Sequence, residues 1–198
     1  MRVTLRRFRA SRRRLSTRAI VQAMARDVVL VNGLPGSGKS TLGPGLAAGL
    51  GAQYLGKDRI KEALAGAIAA APPTLGAVAM ETVWALAAAV PGAVVVDSWW
   101  FRPRDLAHAH AGLLRAGATT AVEVWCDVPP DVARARYVAR RRAALHADAQ
   151  RLATDWADWA ARGEPLALGP VLRVDTSRRV DLPALCADVG ELLGHHHT

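Results

Sequence analysis

The sequence predicts an α/β sandwich around a mostly parallel sheet of five strands. Three observations carry this. Short β-branched apolar runs alternate with longer helical stretches along the 198 residues. A Gly-rich loop follows the first apolar run directly. The residues with chemistry to offer (Gly33 onward, Lys57-Asp58, Asp97 onward) fall where the runs end. Parallel sheets bind ligands beyond that edge.

Val28-Val29-Leu30-Val31 reads as a buried parallel strand. The stretch from the loop to about Leu50 reads as a helix that packing must hold, because Pro44 and the glycines at 43, 45 and 49 give it poor propensity. Gln53-Tyr54-Leu55 is a second strand. Asp58 to Ala70 and Leu75 to Val90 read as helices divided by Pro72-Pro73. Ala93 to Val96 is a third strand, closed by Asp97. Pro103 to Ala116 is a helix with Pro at its start, where the missing N–H does no harm. Thr120 to Cys126 is a strand, and helices over Pro130 to Arg142 and Ala147 to Ala161 follow it. Val171 to Val174 closes the sheet and Leu182 to Leu193 closes the chain.

The length suits one domain, over 27–194. The formal charge of +9 misleads, because residues 1–26 hold nine Arg and no acid. The remainder has 26 − 9 = 17 basic residues against 17 acidic ones, so the body is neutral and has no general basic face. Residues 1–26 read as a solvated, disordered Arg-rich tail, or as a product of a misplaced start codon, with Met24 directly before the first strand. A nucleic-acid or membrane arm and a transit peptide are the functional alternatives. His195-His196-His197 reads as a frayed tail over 195–198 or a tag remnant. Cys126 and Cys186 lie in apolar stretches and read as buried thiols of a reducing compartment. The Ala-rich stretch from Ala63 to Met80 is broken by Gly66, Pro72, Pro73 and Gly76, so no membrane span is expected. The expectation is a soluble, cytoplasmic protein, monomeric or homodimeric.

Gly33-Leu-Pro-Gly-Ser-Gly-Lys39-Ser40-Thr41 fits G-x-x-x-x-G-K-[ST] between a strand and a helix, the context this phosphate loop requires. Gly33, Gly36 and Gly38 allow backbone conformations and approaches that a Cβ would block. The loop N–H groups, with Pro35, Ser37 and Thr41 in the same run, cradle a β-phosphate at the helix N-terminus. Lys39 neutralises the β- and γ-phosphates, and Ser40 offers its hydroxyl to Mg²⁺. ATP and Mg²⁺ are the expected cofactors.

These motifs, with Gly56-Lys57-Asp58-Arg59-Ile60-Lys61, Val94-Val95-Val96-Asp97, and Trp125-Cys126-Asp127-Val128-Pro129 before an Arg-rich helix, resemble small P-loop kinases. The group is that of polynucleotide 5′-kinase and, more loosely, the zeta-toxin-like and gluconate-kinase-like phosphotransferases. The resemblance runs from about Asp27 to Arg142, and more weakly to Ser177. It implies a P-loop NTPase three-layer sandwich with a helical lid at about 134–160. It implies that Asp58 is the general base for an acceptor hydroxyl, a role a strand-end carboxylate facing a γ-phosphate can perform. An N-cap for the following helix is the alternative reading of Asp58. Lys61 stands where polynucleotide kinases carry an acceptor-binding Arg, and it lacks the bidentate fork.

Asp97 reads as a Mg²⁺ or acceptor carboxylate, or as a strand-end turn residue. Arg102 and Arg104 read as acceptor contacts, or as a solvated helix start. Arg134, Arg136, Arg140, Arg141 and Arg142 fall in the lid, with Arg134 and Arg141 favoured as the catalytic pair. A lid Arg closing on the phosphoryl group can contribute roughly 10³–10⁵ in rate. Ser98-Trp99-Trp100-Phe101 offers Trp99 as a stacking surface for substrate, or packs into the core. Trp156 and Trp159, at i, i+3, read as a packing stripe. Thr176 lies where such kinases line the adenine pocket.

The function expected is transfer of the γ-phosphoryl group of ATP to a hydroxyl of a small molecule. A 5′-hydroxyl polynucleotide kinase and a nucleotide-hydrolysing regulator are the alternatives. Nucleic acid is disfavoured as a partner by the neutral body.

Overall fold

A computed structural model describes residues 26–140, 146 and 148–194. Its five strands, β1 (Asp27–Asn32), β2 (Gln53–Gly56), β3 (Val94–Asp97), β4 (Thr120–Asp127) and β5 (Val171–Asp175), form one sheet in the order β2-β3-β1-β4-β5. Every pairing is parallel, where the sequence reading had a mostly parallel sheet. β1 and β3 are apolar on both faces, as a strand covered on both sides must be. The period of two divides them. Val28, Leu30, Val94 and Val96 pack on Val83, Trp84 and Leu113 on one side. Val29, Val31 and Val95 pack on Leu46, Leu185 and Val189 on the other.

Eight helices are present among the described residues: α1 (Lys39–Gly49), α2 (Lys57–Gly66), α3 (Leu75–Ala89), α4 (Arg102–Ala116), α5 (Pro130–Ala139), α6 (Asp148–Thr154), α7 (Trp156–Arg162) and α8 (Leu182–Leu192). The glycines of α1 have a packing reason. A Cβ on Gly43 would stand 2.6 Å from the ring of Tyr54, so α1 lies close on β2 only because that position is bare. α2 stops at Gly66, short of the expected Ala70, where Gly is the poorest helix former but Pro. The single helix expected over Ala147 to Ala161 is two helices. The Thr154 hydroxyl donates to the Gln150 carbonyl (3.1 Å) and to Asp155 (2.7 Å), a back-bond that bends helices.

The chain runs from β1 to the β2 edge, returns through β3, and crosses β1 to reach β4. The loops after β1 and β3 therefore emerge side by side at one end of the sheet. A third apolar cluster, with Leu34, Phe101, Tyr137, Trp156 and Trp159, closes that end. No helix of the described residues is long and apolar enough to cross a membrane.

Candidate active site

The loop between β1 and α1 has the backbone its glycines permit. Gly33, Gly36 and Gly38 have φ of 141°, 88° and 96°, left-handed values that an L side chain strains to adopt. Asn32 fixes the loop's entrance. Its Oδ1 accepts from the backbone N–H of Gly33 (2.8 Å) and of Trp100 (3.1 Å), stitching the loop to the segment after β3. Its Nδ2 donates to Glu123 (2.9 Å), a buried carboxylate that also accepts from Leu166 and Ala167 N–H. Sequence reading missed this pair, since one Asn and one Glu in apolar strands carry no motif.

Lys39 is buried, and its ammonium donates to the carbonyls of Gly33 (2.7 Å) and Leu34 (2.9 Å). Burial lowers its pKa and the nearby Asp97 carboxylate pulls it back up. Asp97 is 5% exposed at the end of β3, and the Tyr54 hydroxyl donates to its Oδ2 at 2.8 Å. Burial and this negative partner push the Tyr54 phenol up, so Tyr54 stays a donor. Ser40 is exposed at the start of α1 and shares a cavity with Lys39 and Asp97. A hydroxyl and a carboxylate are the hard oxygens Mg²⁺ takes, and it usually draws few ligands from protein and the rest from phosphate and water. No cluster of three or more His, Cys, Asp or Glu that could hold a metal occurs among the described residues.

Asp58 borders the same cavity from the first turn of α2. The N-cap position belongs to Gly56, not to Asp58, so the capping alternative does not describe this helix. A carboxylate in a first turn is favoured by the helix dipole. His146, 5% exposed, stands with Nδ1 3.9 Å from Asp58 and Nε2 2.8 Å from Glu62. Lys61, Trp99 and Arg104 also border this cavity. Arg104 is held by both oxygens of Asp105 (2.7 Å each). Trp99 lies in a ring cluster with Phe101, Trp125 and Trp159, while Trp100 is buried against Trp84. The aromatic run thus divides, one ring to the cavity wall and the others to the core.

A second groove, of about 510 Å³, is bordered by Gly36, Gly38, Thr41 and Thr176 on the other side of the loop. Thr176 donates its hydroxyl to Ser37 O (2.6 Å) and Asp127 O (3.1 Å), so it clamps the loop. Ser37 is fully buried and its hydroxyl has no hydrogen bond among the described residues.

Of the lid arginines among the described residues, Arg134 is placed differently from the sequence reading. Arg134 is exposed on α5 and borders neither cavity, because the helix turns Ala133 and Tyr137 inward instead. Arg140 borders both cavities, and its charge acts on Lys39. Arg136 donates to the carbonyls of Thr176 (3.0 Å) and Ser177 (3.2 Å). Arg141 and Arg142 lie outside the described residues. Arg102 turns away to pair with Glu164 at 2.8 Å and does not border the cavity of Lys39 and Asp58. Asp148 and Arg151 border it unforeseen, and Lys57 borders it beside Asp58, at the strand end where the sequence placed both. Cys186 is half-buried, where full burial was expected, while Cys126 is buried.

A strand, a glycine loop closing on Lys39, a helix, and a five-stranded parallel sheet in this order define a P-loop nucleoside triphosphatase fold. A family model for the AAA domain named AAA_33 matches residues 28–166, and the chain belongs to that family. No curated protein matches it. Among solved structures, a candidate kinase of Chloroflexus aurantiacus is 26% identical, with 86% of this chain and 97% of that one covered and a TM-score of 0.69. The tunicamycin resistance protein of Deinococcus radiodurans (15% identity, 86% and 97% covered, TM-score 0.54) and a shikimate kinase of Acinetobacter baumannii (16%, 90% and 99%, 0.53) share the fold.

Proposed function

We propose that this protein transfers the γ-phosphoryl group of ATP to a hydroxyl of a small molecule. One observation carries the reading: a single cavity joins the phosphate-loop residues Lys39 and Ser40 to two carboxylates, Asp58 and Asp97, from different strand ends. Asp58, on a different strand end from Asp97, gives an acceptor hydroxyl a base to face beside the phosphate loop. The family match and the likeness to a candidate kinase at 26% identity support the same reading.

Lys39 leaves its loop carbonyls to neutralise the triphosphate. Asp58 accepts the acceptor's proton as its oxygen bonds to the γ-phosphorus. The bond to the β,γ-bridging oxygen breaks, and ADP departs. Ser40 and Asp97 would hold Mg²⁺, which neutralises phosphate charge when bound. Arg140, which borders both cavities, takes the lid role in place of the exposed Arg134. The Gly36 to Thr41 side of the loop, with Thr176, faces the groove that would take the nucleoside.

The test is transfer of label from γ-labelled ATP to a metabolite extract and, separately, to a 5′-hydroxyl oligonucleotide. Label is expected in a small-molecule product. Asp58→Asn should keep ATP affinity and lose at least about 10²-fold in transfer. Label released only as inorganic phosphate would replace this reading with a hydrolysing regulator, and label in the oligonucleotide would replace it with polynucleotide repair.

A further inference from the structure

The acceptor cavity is more cationic than phosphoryl transfer alone requires. Six cations border it, Lys39, Lys57, Lys61, Arg104, Arg140 and Arg151, against the carboxylates of Asp58, Asp97 and Asp148. Lys39 and Arg140 belong to the triphosphate. Four cations remain on the acceptor side, of which Arg104 is already paired with both oxygens of Asp105, and of the three carboxylates there Asp97 has the metal to hold. The excess is not spillover from a basic protein, because the chain beyond residue 26 has 17 cations and 17 acids. Positive charge has been gathered into this cleft from a neutral body.

The four come from three separate elements. Lys57 and Lys61 stand at i, i+4 on one face of α2. Arg104 is in the first turn of α4, and Arg151 is on α6. Gly76, in the first turn of α3, borders the cavity as well. The first turns of α1, α2, α3 and α4 therefore all meet it, each adding the positive end of its dipole. The charges also press on one another. Lys57 is half-buried: burial lowers its pKa, Asp58 beside it raises it, and weaker effects follow from Arg151 and Arg104, which lower it, and from Asp105, which raises it. Like charges brought together in a confined space are stabilised when an anion sits among them.

We propose that the acceptor carries, besides its reacting hydroxyl, a carboxylate or phosphate group held by Lys57 and Arg151, beside an Arg104 already fixed by Asp105. This rests on the phosphotransfer reading above, and it names the acceptor as a hydroxyl-bearing anion rather than a neutral sugar or a neutral polyol. The anionic group anchors the molecule at the far wall and leaves the hydroxyl between Asp58 and the γ-phosphate. Lys61 completes the ring of charge.

Two measurements keep this inference separable from the reading beneath it. In the first, the protein is loaded with Mg²⁺ and a non-hydrolysable ATP analogue, so that the phosphate loop is filled. Inorganic phosphate is then titrated in by calorimetry at fixed ionic strength. Saturable binding is expected, weakened about tenfold by Lys57→Met and again by Arg151→Met. Lys57→Arg should retain it, and analogue affinity should hold in all three, which separates loss of the anion site from loss of fold. No saturable binding in the wild type, or binding indifferent to both Met variants, overturns the proposal. In the second, a metabolite extract is passed over an anion exchanger before the labelling reaction. Acceptor activity is expected in the retained fraction, and acceptor activity in the flow-through alone overturns the proposal. Phosphatase treatment of the retained fraction, then removal of the phosphatase, distinguishes the sources: loss of acceptor activity marks a phosphate and its survival marks a carboxylate. Phosphate binding with no label reaching either fraction would remove the phosphotransfer reading and leave the anion site standing.

Discussion

At the scale of single residues, the site depends on groups whose partners set their charge. Lys39 is the clearest case. Its two loop carbonyls hold it in place before any nucleotide arrives, at 2.7 and 2.9 Å. Substituting Lys39 by Ala should abolish transfer, and near-normal turnover would remove the loop from the mechanism. Cys126 lies directly under this loop, and a Cβ on Gly33 would stand 2.7 Å from the Cys126 carbonyl oxygen. Burial pushes the Cys126 thiol up to about 12. At pH 8 the thiolate fraction is then about 10⁻⁴, and the thiolate is the reactive form. The raised value means that reactivity grows only as pH climbs toward 12, not through the ordinary thiol range. With Cys186 replaced by Ser, native protein should give no reaction with a disulfide reagent over an hour at pH 8, and full reaction once denatured. Fast reaction of the native protein would mean that the floor of the phosphate loop opens.

At the scale of elements, the placing of α1 against β2 decides whether Tyr54 reaches Asp97. A side chain at Gly43 must push the Tyr54 ring aside. Gly43→Val should lower stability by about 1–3 kcal/mol, the range for overpacking a filled core. Urea unfolding would measure it, and an unchanged midpoint would mean that α1 can shift on the sheet without loss. Much of this level was legible beforehand. The strands were plain because buried β-branched runs have few other uses, and the loop because its glycines stand at fixed offsets. The tight seat of α1 was not, since poor propensity announces that packing must compensate without saying against what. The break between α6 and α7 was hidden for a similar reason. Ala147 to Ala161 contains neither Gly nor Pro, and a Thr hydroxyl bonding backward bends the helix instead. The choice among five lid arginines was beyond helical spacing alone. Ala133 and Tyr137 face inward, which carries Arg134 outward.

At the scale of the whole molecule, the described chain enters the fold at Arg26. Its guanidinium donates to the carbonyls of Ala87 and Val90 at the C-terminal end of α3, a helix with no basic residue in its own last turn. Its backbone N–H donates to Thr119 at 2.9 Å. Carbonyls at a helix end are stabilised by such a cation. A chain beginning at Met24 keeps these bonds and should melt with the full chain. Arg26→Ala in that shorter chain should cost about 1–2 kcal/mol, a few degrees in a melting scan. A large loss on shortening alone would give the first 23 residues a part in folding.

The aromatic cluster at the cavity wall has a practical consequence. Trp99 borders the acceptor space with two other indoles at 6.4 and 5.9 Å between ring centroids. The protein therefore carries its own optical reporter at the wall of the proposed acceptor space. A compound that enters displaces solvent from an indole already coupled to its neighbours, and the emission of the unlabelled, unmodified protein will register its arrival. A compound library can be searched by light without an activity assay.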